Sequence, residues 1–461
     1  MLSHSRSWAV RFAHEVLKQF KNRELRHPSF EKAQFVTGLG IIRLPTGNPF
    51  MNPPTEEQLQ IQKQNFRNVQ IDGVGVSISN VSAPYLPVFL TRLGASNFQV
   101  GLLSSMPGVT GLIIAIFVGR FLQTRKNVVP WYGLSRLLVI MCYALTGILT
   151  FFADQQYLII ATLDIWAFAT IPQTALAVAF SVVMNAVAGP EGRYALLSRR
   201  WAIFGLTGVI GTFIVTRVID LIQFPLNYAI MFLVLSLGGF MSYYFSNKIQ
   251  IPDQPPAPAS RSGFTGNRAG NYLALLRAYP SFISFASKRF VYLSALALSL
   301  PVMPLYYVRA VHATDSQIGT ITMTMMLLML VGYFLWPRLS RRRGGRYVLL
   351  ATTFGMILHP ALTASTTRAE WIILIAALAG FFQSGLDLVF FDELMKTVPP
   401  EHGATFVALA QSMQYFSTVL APLVGTWVAG YIGLGGALWL SAGLRLIGFL
   451  LFLQRGPRLS S

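Results

Sequence analysis

The chain has 461 residues, of which 53% are apolar and only 11% are charged. An ordinary soluble domain carries about a quarter charged residues, so a soluble globular protein and a disordered one are both excluded. The 36 Lys and Arg outnumber the 17 Asp and Glu to give a net charge of +19, and the single cysteine, Cys142, excludes an internal disulfide framework or a multi-cysteine zinc site.

Residues 1–68 precede the first apolar run. Within them Trp8, Phe12, Val16, Leu17 and Phe20 fall at helical spacing, with Arg11, His14, Glu15, Lys18 and Lys21 on the other face. That pattern predicts an amphipathic helix lying on a membrane surface or packed on loops. Crossing the hydrocarbon core takes about 20 mainly apolar residues. Twelve such stretches follow, near 69–91, 98–120, 128–152, 156–186, 202–222, 227–247, 289–309, 316–337, 346–366, 370–396, 405–430 and 434–454. Residues 248–288 contain Pro252, Pro255, Pro256 and Pro258 and a Ser/Gly/Arg stretch, and read as a linker. The expected organisation is an extension (1–68), a six-helix bundle (69–247), a linker (248–288), a second six-helix bundle (289–454) and a short tail (455–461).

The placement of the basic residues orients this plan. Thirty of the 36 Lys and Arg lie in the extension, the even-numbered loops and the tail; Arg92, Arg217, Arg309 and Arg368 fall on the other side, and Arg136 and Arg445 lie inside spans. Basic loops stay cytoplasmic, so both termini and the linker are expected in the cytoplasm, with the protein multi-pass in the plasma membrane. The charge then reflects topology and attraction to anionic lipid headgroups at the cytoplasmic face rather than nucleic-acid binding. A monomer is expected.

The two halves repeat. Pro84-Tyr85-Leu86-Pro87 and Arg92 match Pro301-Val302-Met303-Pro304 and Arg309 at an offset of 217, and Gln99-Val100-Gly101 matches Gln317-Ile318-Gly319 at 218. Further on, Gln173-Thr174 matches Gln383-Ser384 at 210, and Gly211-Thr212 matches Gly425-Thr426 at 214. Ordered matches with slowly drifting offsets indicate a duplicated six-helix unit. The paired prolines predict similar bends near the outer ends of spans one and seven, serving a gate or packing.

Over residues 66–454 this pattern resembles the major facilitator superfamily: twelve spans, cytoplasmic termini, a long central loop and repeated halves. The family also has a loop motif, Gly-x-Leu-x-Asp-Arg-x-Gly-Arg-Arg/Lys in outline, after its second and eighth spans. The second copy here is Pro337-Arg338-Leu339-Ser340-Arg341-Arg342-Arg343-Gly344-Gly345-Arg346, and the first is the poorer Gly119-Arg120-Phe121-Leu122-Gln123-Thr124-Arg125-Lys126. Both lack the acidic residue that helps latch the family's cytoplasmic gate, which leaves the basic residues, Arg338 and Arg342 among them, to meet lipid phosphate or a helix C-terminus. The span-four arginine of proton coupling and the span-five Gly-Pro pair of antiporters are also missing. The resemblance implies an all-α integral membrane fold of twelve transmembrane helices in two pseudo-symmetric six-helix bundles, and a transporter with no catalytic residues.

Ionisable groups inside hydrocarbon are costly and usually face a cavity or a partner. Gln173 and Gln383, each followed by a small hydroxyl residue (Thr174, Ser384), lie in spans that the resemblance places around a central cavity. Their amides either bind a substrate from both halves or bond between helices. Asp387 shares a face with Gln383, and either takes a proton or cation during transport or pairs with Arg445. Asp72, followed by Ser79 and Asn80 on its face, is either a cavity residue or a helix-start contact. Asp164 lies about half a turn round from Gln173 and is a weaker cavity candidate. Arg136 either snorkels toward the cytoplasmic surface or joins Arg445 as an ion-pair or gate candidate, and Asp392 and Glu393 read as gate or interface residues. No metal-ligand spacing, phosphate loop or nucleophile motif is visible, so no cofactor, ATP drive or enzyme activity is expected. The expected function is secondary active transport of an unidentified small solute by alternating access, with or without proton coupling. The alternative is a non-transporting relative that acts as a membrane assembly or pigment/lipid-delivery factor.

Overall fold

An apolar run crosses hydrocarbon without orphaning its peptide groups by closing its own hydrogen bonds as a helix. The computed structural model describes residues 56–251, 279–398 and 403–454, and its regular structure among those residues is helical throughout. The N-terminal half contains α1 (Glu56–Asn80), α2 (Tyr85–Arg92), α3 (Asn97–Gln123), α4 (Val129–Leu149), α5 (Gln155–Val218) and α6 (Leu226–Asn247). The C-terminal half contains α7 (Pro280–Arg309), α8 (Asp315–Arg343), α9 (Gly345–Ala364), α10 (Ala369–Thr397) and α11 (Gly403–Leu453). The expected surface helix, most of the linker and the tail lie outside the described residues.

Among the described residues, eleven apolar segments are long enough to span, and one of them, Leu409–Leu453, has 45 residues. At ~1.5 Å per residue it would run about 68 Å, over twice the hydrocarbon thickness of about 30 Å. Gly433 divides it with φ 76° and ψ 166°, a conformation that glycine takes at no steric cost. Within α5 the spans are Gln155–Ala188 and Arg199–Leu221. The Arg200 guanidinium sits 4.7 Å from the Phe180 ring centroid, whereas twenty residues of straight helix would part them by about 30 Å. The chain therefore doubles back between them, and the described residues form twelve spans.

Two spans differ from expectation. The first is made of α1 and α2, and α1 starts at Glu56, well before 69. Pro84 and Pro87 bring no amide hydrogen, and short turns bridge the break, with Val81 N–H donating to Ser77 O and Ala83 N–H to Asn80 O. Their repeat mates Pro301 and Pro304 instead lie inside one continuous helix that begins at Pro280, so the proline pairs do not produce matching breaks.

The packing displays the duplication. Spans two and eight each start with a capping box: Ser96 with Gln99, and Thr314 with Gln317, which explains the repeated glutamines. Between spans one and five, Ser77 Oγ donates to Phe204 O at 2.6 Å; between spans seven and eleven, Ser417 and Ser294 hydroxyls meet at 2.9 Å. Gly211 lies against Val81 as Gly425 lies against Leu298, again in register.

One end of the protein carries Arg125, Lys126 and the arginines of 338–346, and is the basic end; the other is the far end. A large apolar core at the far end contains residues of both halves, Phe89 and Tyr228 together with Leu305 and Ile318. At the basic end each half has its own core, around Tyr292 and Phe390 in one and Tyr132 and Val183 in the other. The halves thus pack together at the far end and have separate cores at the basic end. Many large apolar side chains face outward, Phe117 and Leu237 at 67% and 64% exposure among them. Such continuous apolar surface requires a covering phase, here lipid.

Candidate functional site

Three polar constellations stand out against the apolar spans. The first is in the N-terminal bundle near its basic end. Asp72 on α1 is fully buried. Its Oδ2 lies 3.0 Å from Arg200 Nη2 and its Oδ1 lies 3.3 Å from Arg136 Nη2. Ser242 Oγ and Tyr132 OH donate to the same carboxylate, and Arg136 Nη2 donates to Tyr132 OH at 2.6 Å. Two cations share one carboxylate, with the Phe180 ring under Arg200. Spans one, three, five and six are tied at one point, and removing any charged member strands the others in a dry site. Asp72 is therefore neither a cavity residue nor a helix-start contact: it is fully buried, well inside a helix that starts at Glu56. Of the two roles open to Arg136, the structure places it in an ion pair and not at the surface. Asn80, at the end of α1, is exposed.

The second constellation is a chamber of about 280 Å³ in the C-terminal bundle, walled by α7, α10 and α11, with Arg289, Gln383, Asp387, Gln411 and Gln414 as its polar lining. Arg289 Nη2 donates to Gln414 Oε1 at 2.8 Å, and Arg289 Nε is buried with no hydrogen-bond partner. Opposite, Asp387 accepts from Gln383 Nε2 at 2.7 Å and from Tyr333 OH at 3.1 Å. Leu293, Leu386 and Phe390 supply apolar wall. The mixture of apolar surface with a few convergent polar groups is that of a small-molecule site.

The third lies at the far end, where each half reaches into the other. Arg92, closing span one, places Nε 2.6 Å from Asp315 Oδ1 and donates to Ala313 O at 2.7 Å, at the start of span eight. Arg309, closing span seven, donates to Asn97 Oδ1 at 2.5 Å and to Ala95 O, at the start of span two. The partners 313 and 315 stand 218 residues beyond 95 and 97, so the contacts are related by the repeat. Tyr228 OH and Asn227 Nδ2 also donate to Asp315. Close backbone approach completes the seam: Gly101 lies against Thr426, and Gly319 against Tyr85 and Thr216.

The remaining candidates scatter. Gln173 is half-buried and is not among the chamber residues, so the chamber is built from one half rather than from paired amides of both. Thr174 Oγ1 bonds Thr170 O and Thr110 within its own bundle. Ser384 is fully buried, bonds Phe381 O and packs against Gly332, so it supports the span-eight contact and does not face the chamber. Arg445 does not pair with Asp387: it is buried and donates to Met356 O at 2.7 Å and Ser299 Oγ at 2.6 Å, clamping spans seven, nine and twelve. Asp392 and Glu393 pair with Lys396 at 2.7 and 2.8 Å, beside Gly345 at the start of α9. They stay within one half, where carboxylates suit a helix N-terminus. Arg338 and Arg342 are exposed, as is Asp164, on a face with Ile160 and Phe168. Of the aromatics in the spans, Tyr85, Trp166, Tyr306 and Tyr307 are buried packing residues.

Sequence reasoning missed Arg289, Gln411, Gln414 and Tyr333. A signal was present for Arg289: an offset of 217 sets it opposite Asp72. The same offset marked Arg92 and Arg309 as a pair without revealing what they touch.

The comparisons with known proteins agree with this architecture. Residues 289–461 match the family model of the Major Facilitator Superfamily. A search of curated proteins finds no match. Among solved structures, a nucleoside transporter NupG variant aligns at TM-score 0.64 with 12% identity, covering 85% of this chain and 99% of the other. A bacterial homologue of the iron transporter ferroportin, in an inward-facing state, aligns at 0.62 with 15% identity, covering 86% and 98%. A POT family transporter in complex with a thioalcohol-conjugated peptide aligns at 0.65 with 10% identity, covering 84% and 95%. At such identities the likeness is one of fold. The chain is thus a multi-pass membrane protein with the major facilitator fold, and its C-terminal region carries the sequence pattern of that superfamily.

Proposed function

We propose that the protein is a secondary transporter that moves a small polar solute by alternating access, with the chamber of Arg289, Gln383 and Asp387 as its substrate site. One observation carries this reading: a cavity with charged and amide walls lies inside a bundle whose partner half is locked to it at the far end and has a separate core at the basic end. By the distribution of basic residues, the basic end and both termini face the cytoplasm, so the molecule is open inward. Arg289 is nine residues from the start of α7 and Asp387 ten from the end of α10, about 14–15 Å in from the basic ends of those helices by helical rise, a depth that a solute reaches from the cytoplasm while the basic end is open. Rocking the halves requires the far-end contacts of Arg92 and Arg309 to break while the basic ends close. Asp387, the carboxylate of the chamber, is the group through which proton coupling would act. The nucleoside transporter, the ferroportin homologue and the POT family transporter that share the fold support transport as the activity.

Reconstitution of the purified protein in proteoliposomes, with flux of labelled solute mixtures measured under imposed proton gradients, tests the proposal. Gln383→Ala and Asp387→Ala are expected to abolish flux while the protein remains monodisperse. Wild-type flux in both variants rejects the site. No flux of any solute, with stable co-purification of a membrane complex, favours a role in assembly or in pigment or lipid delivery, the function for which the missing loop-motif carboxylates speak.

A further inference from the structure

The chamber holds two opposite charges that do not neutralise each other. Arg289 leans on the neutral amide of Gln414 and keeps a buried Nε without a partner, and no carboxylate stands within ion-pair distance of it among the described residues. Asp387 accepts from an amide and a phenol and has no cationic partner among the described residues. Both line the same cavity of about 280 Å³, Arg289 half-buried and Asp387 exposed on its wall. The N-terminal bundle treats the corresponding place differently. At the repeat offsets of 217 and 214, Asp72 and Arg200 correspond to Arg289 and Gln414. The first pair is a salt bridge in a packed core, the second a charge–amide contact on a cavity wall.

A charge in a low-dielectric wall is stabilised by an opposite charge or by dense hydrogen bonding. A neutral guest would leave both charges of the chamber uncompensated. A cation would satisfy Asp387 and face Arg289, and an anion the reverse. Resting on the transport reading above, we propose that the chamber binds a small zwitterion of the amino-acid class. Its anionic group meets Arg289 with Gln414 beside it, and its ammonium group meets Asp387. Leu293, Leu386 and Phe390 cover its apolar part. The volume lies near the lower end of small-molecule sites, about 300–1,000 Å³, and so excludes large guests.

The test uses the full-length protein and three probe pools that share side-chain skeletons: the standard apolar amino acids, the amines left by their decarboxylation, and the carboxylic acids left by their deamination. Thermal stabilisation in nanodiscs and uptake into proteoliposomes are both read. The amino-acid pool is expected to act at about tenfold lower concentration than either other pool, a margin of about 1.4 kcal/mol. Arg289→Gln should reverse the order toward amines, and Asp387→Asn toward acids, each in monodisperse protein. Equal or stronger response of the wild type to amines, acids or a neutral sugar pool overturns the inference, as does an unchanged order in both variants. Flux of a sugar or nucleoside with no zwitterion response rejects the zwitterion and leaves transport standing. Zwitterion binding without flux of any solute rejects transport and leaves the binding site standing.

Discussion

The two halves descend from one unit, yet they use the same location for opposite ends. In the N-terminal bundle Asp72, Arg136, Arg200, Tyr132 and Ser242 form a buried ionic knot around one carboxylate. In the C-terminal bundle the corresponding contact is Arg289 on Gln414, next to a cavity. Replacing one carboxylate with an arginine, and one arginine with an amide, turns a packing element into a polar wall. On the proposed reading, the duplicated bundle gains its binding site where one copy of a buried network is left incomplete.

The comparison breaks most visibly at Asp72. Asp72→Ala leaves two buried guanidinium groups unpaired, and breaking a buried pair costs roughly 3–5 kcal/mol; thermal unfolding of the detergent-purified variant is expected to show this loss or a failure to accumulate folded protein. Arg289→Gln should cost less than about 1.5 kcal/mol, the scale of a single hydrogen bond, while weakening the amino-acid response and turning the preference toward amines. Comparable destabilisation by the two substitutions would show that the halves are not divided into a structural and a binding copy.

Gln414→Glu sharpens the same contrast by restoring in the C-terminal half the ion pair of the N-terminal half. It is expected to reduce ligand-induced stabilisation at least about tenfold without lowering the melting temperature of the empty protein. A variant that binds as the wild type does would mean that the Arg289 guanidinium is not a ligand contact.

The far-end contacts allow a subtler comparison. The Arg92 contact is ionic and carries two further donors to Asp315, whereas Arg309 meets only the amide oxygen of Asn97 and a carbonyl. Spin labels at Phe152 and Thr367, in far-end loops of opposite halves, should report a larger separated population for Arg92→Ala than for Arg309→Ala. The smallest effect is expected from Asn97→Asp, which converts the second contact into an ion pair worth up to about 1 kcal/mol, and should deplete whatever separated population the wild type shows. Equal distance distributions for all three would mean that the seam of Gly101, Thr426, Gly319 and Thr216 alone holds the far end.

Much of the architecture was legible in the sequence because each span must satisfy its own backbone in lipid, and the signal is therefore local: a run of about 20 apolar residues. The span ends of α3, α4, α6, α8, α9 and α10 lie close to where composition places them. The misplaced starts of α1 and α7 carry polar residues, Lys63, Arg67, Lys288 and Arg289, which composition assigns to loops and which the bundles instead draw into helices. The site was legible only in part. Gln383 and Asp387 could be found from their repeat position and their cost in hydrocarbon. Arg289 and Gln414 were hidden, since an arginine nine residues into a proline-started helix looks like a basic loop until the fold shows its place.

By itself the sequence determined the twelve-span helical plan, its duplication and the residues too polar for lipid, because these depend on composition along the chain. Tertiary structure alone decided which of those polar residues were partners. Asp72 found Arg200 at 128 positions' distance, Arg92 found Asp315 at 223, and Asp387 was left without Arg445. The reason is physical: the energy of a buried charge is set by what stands within a few ångströms of it, and in a bundle those neighbours come from other helices, whose rotation and depth no local pattern encodes.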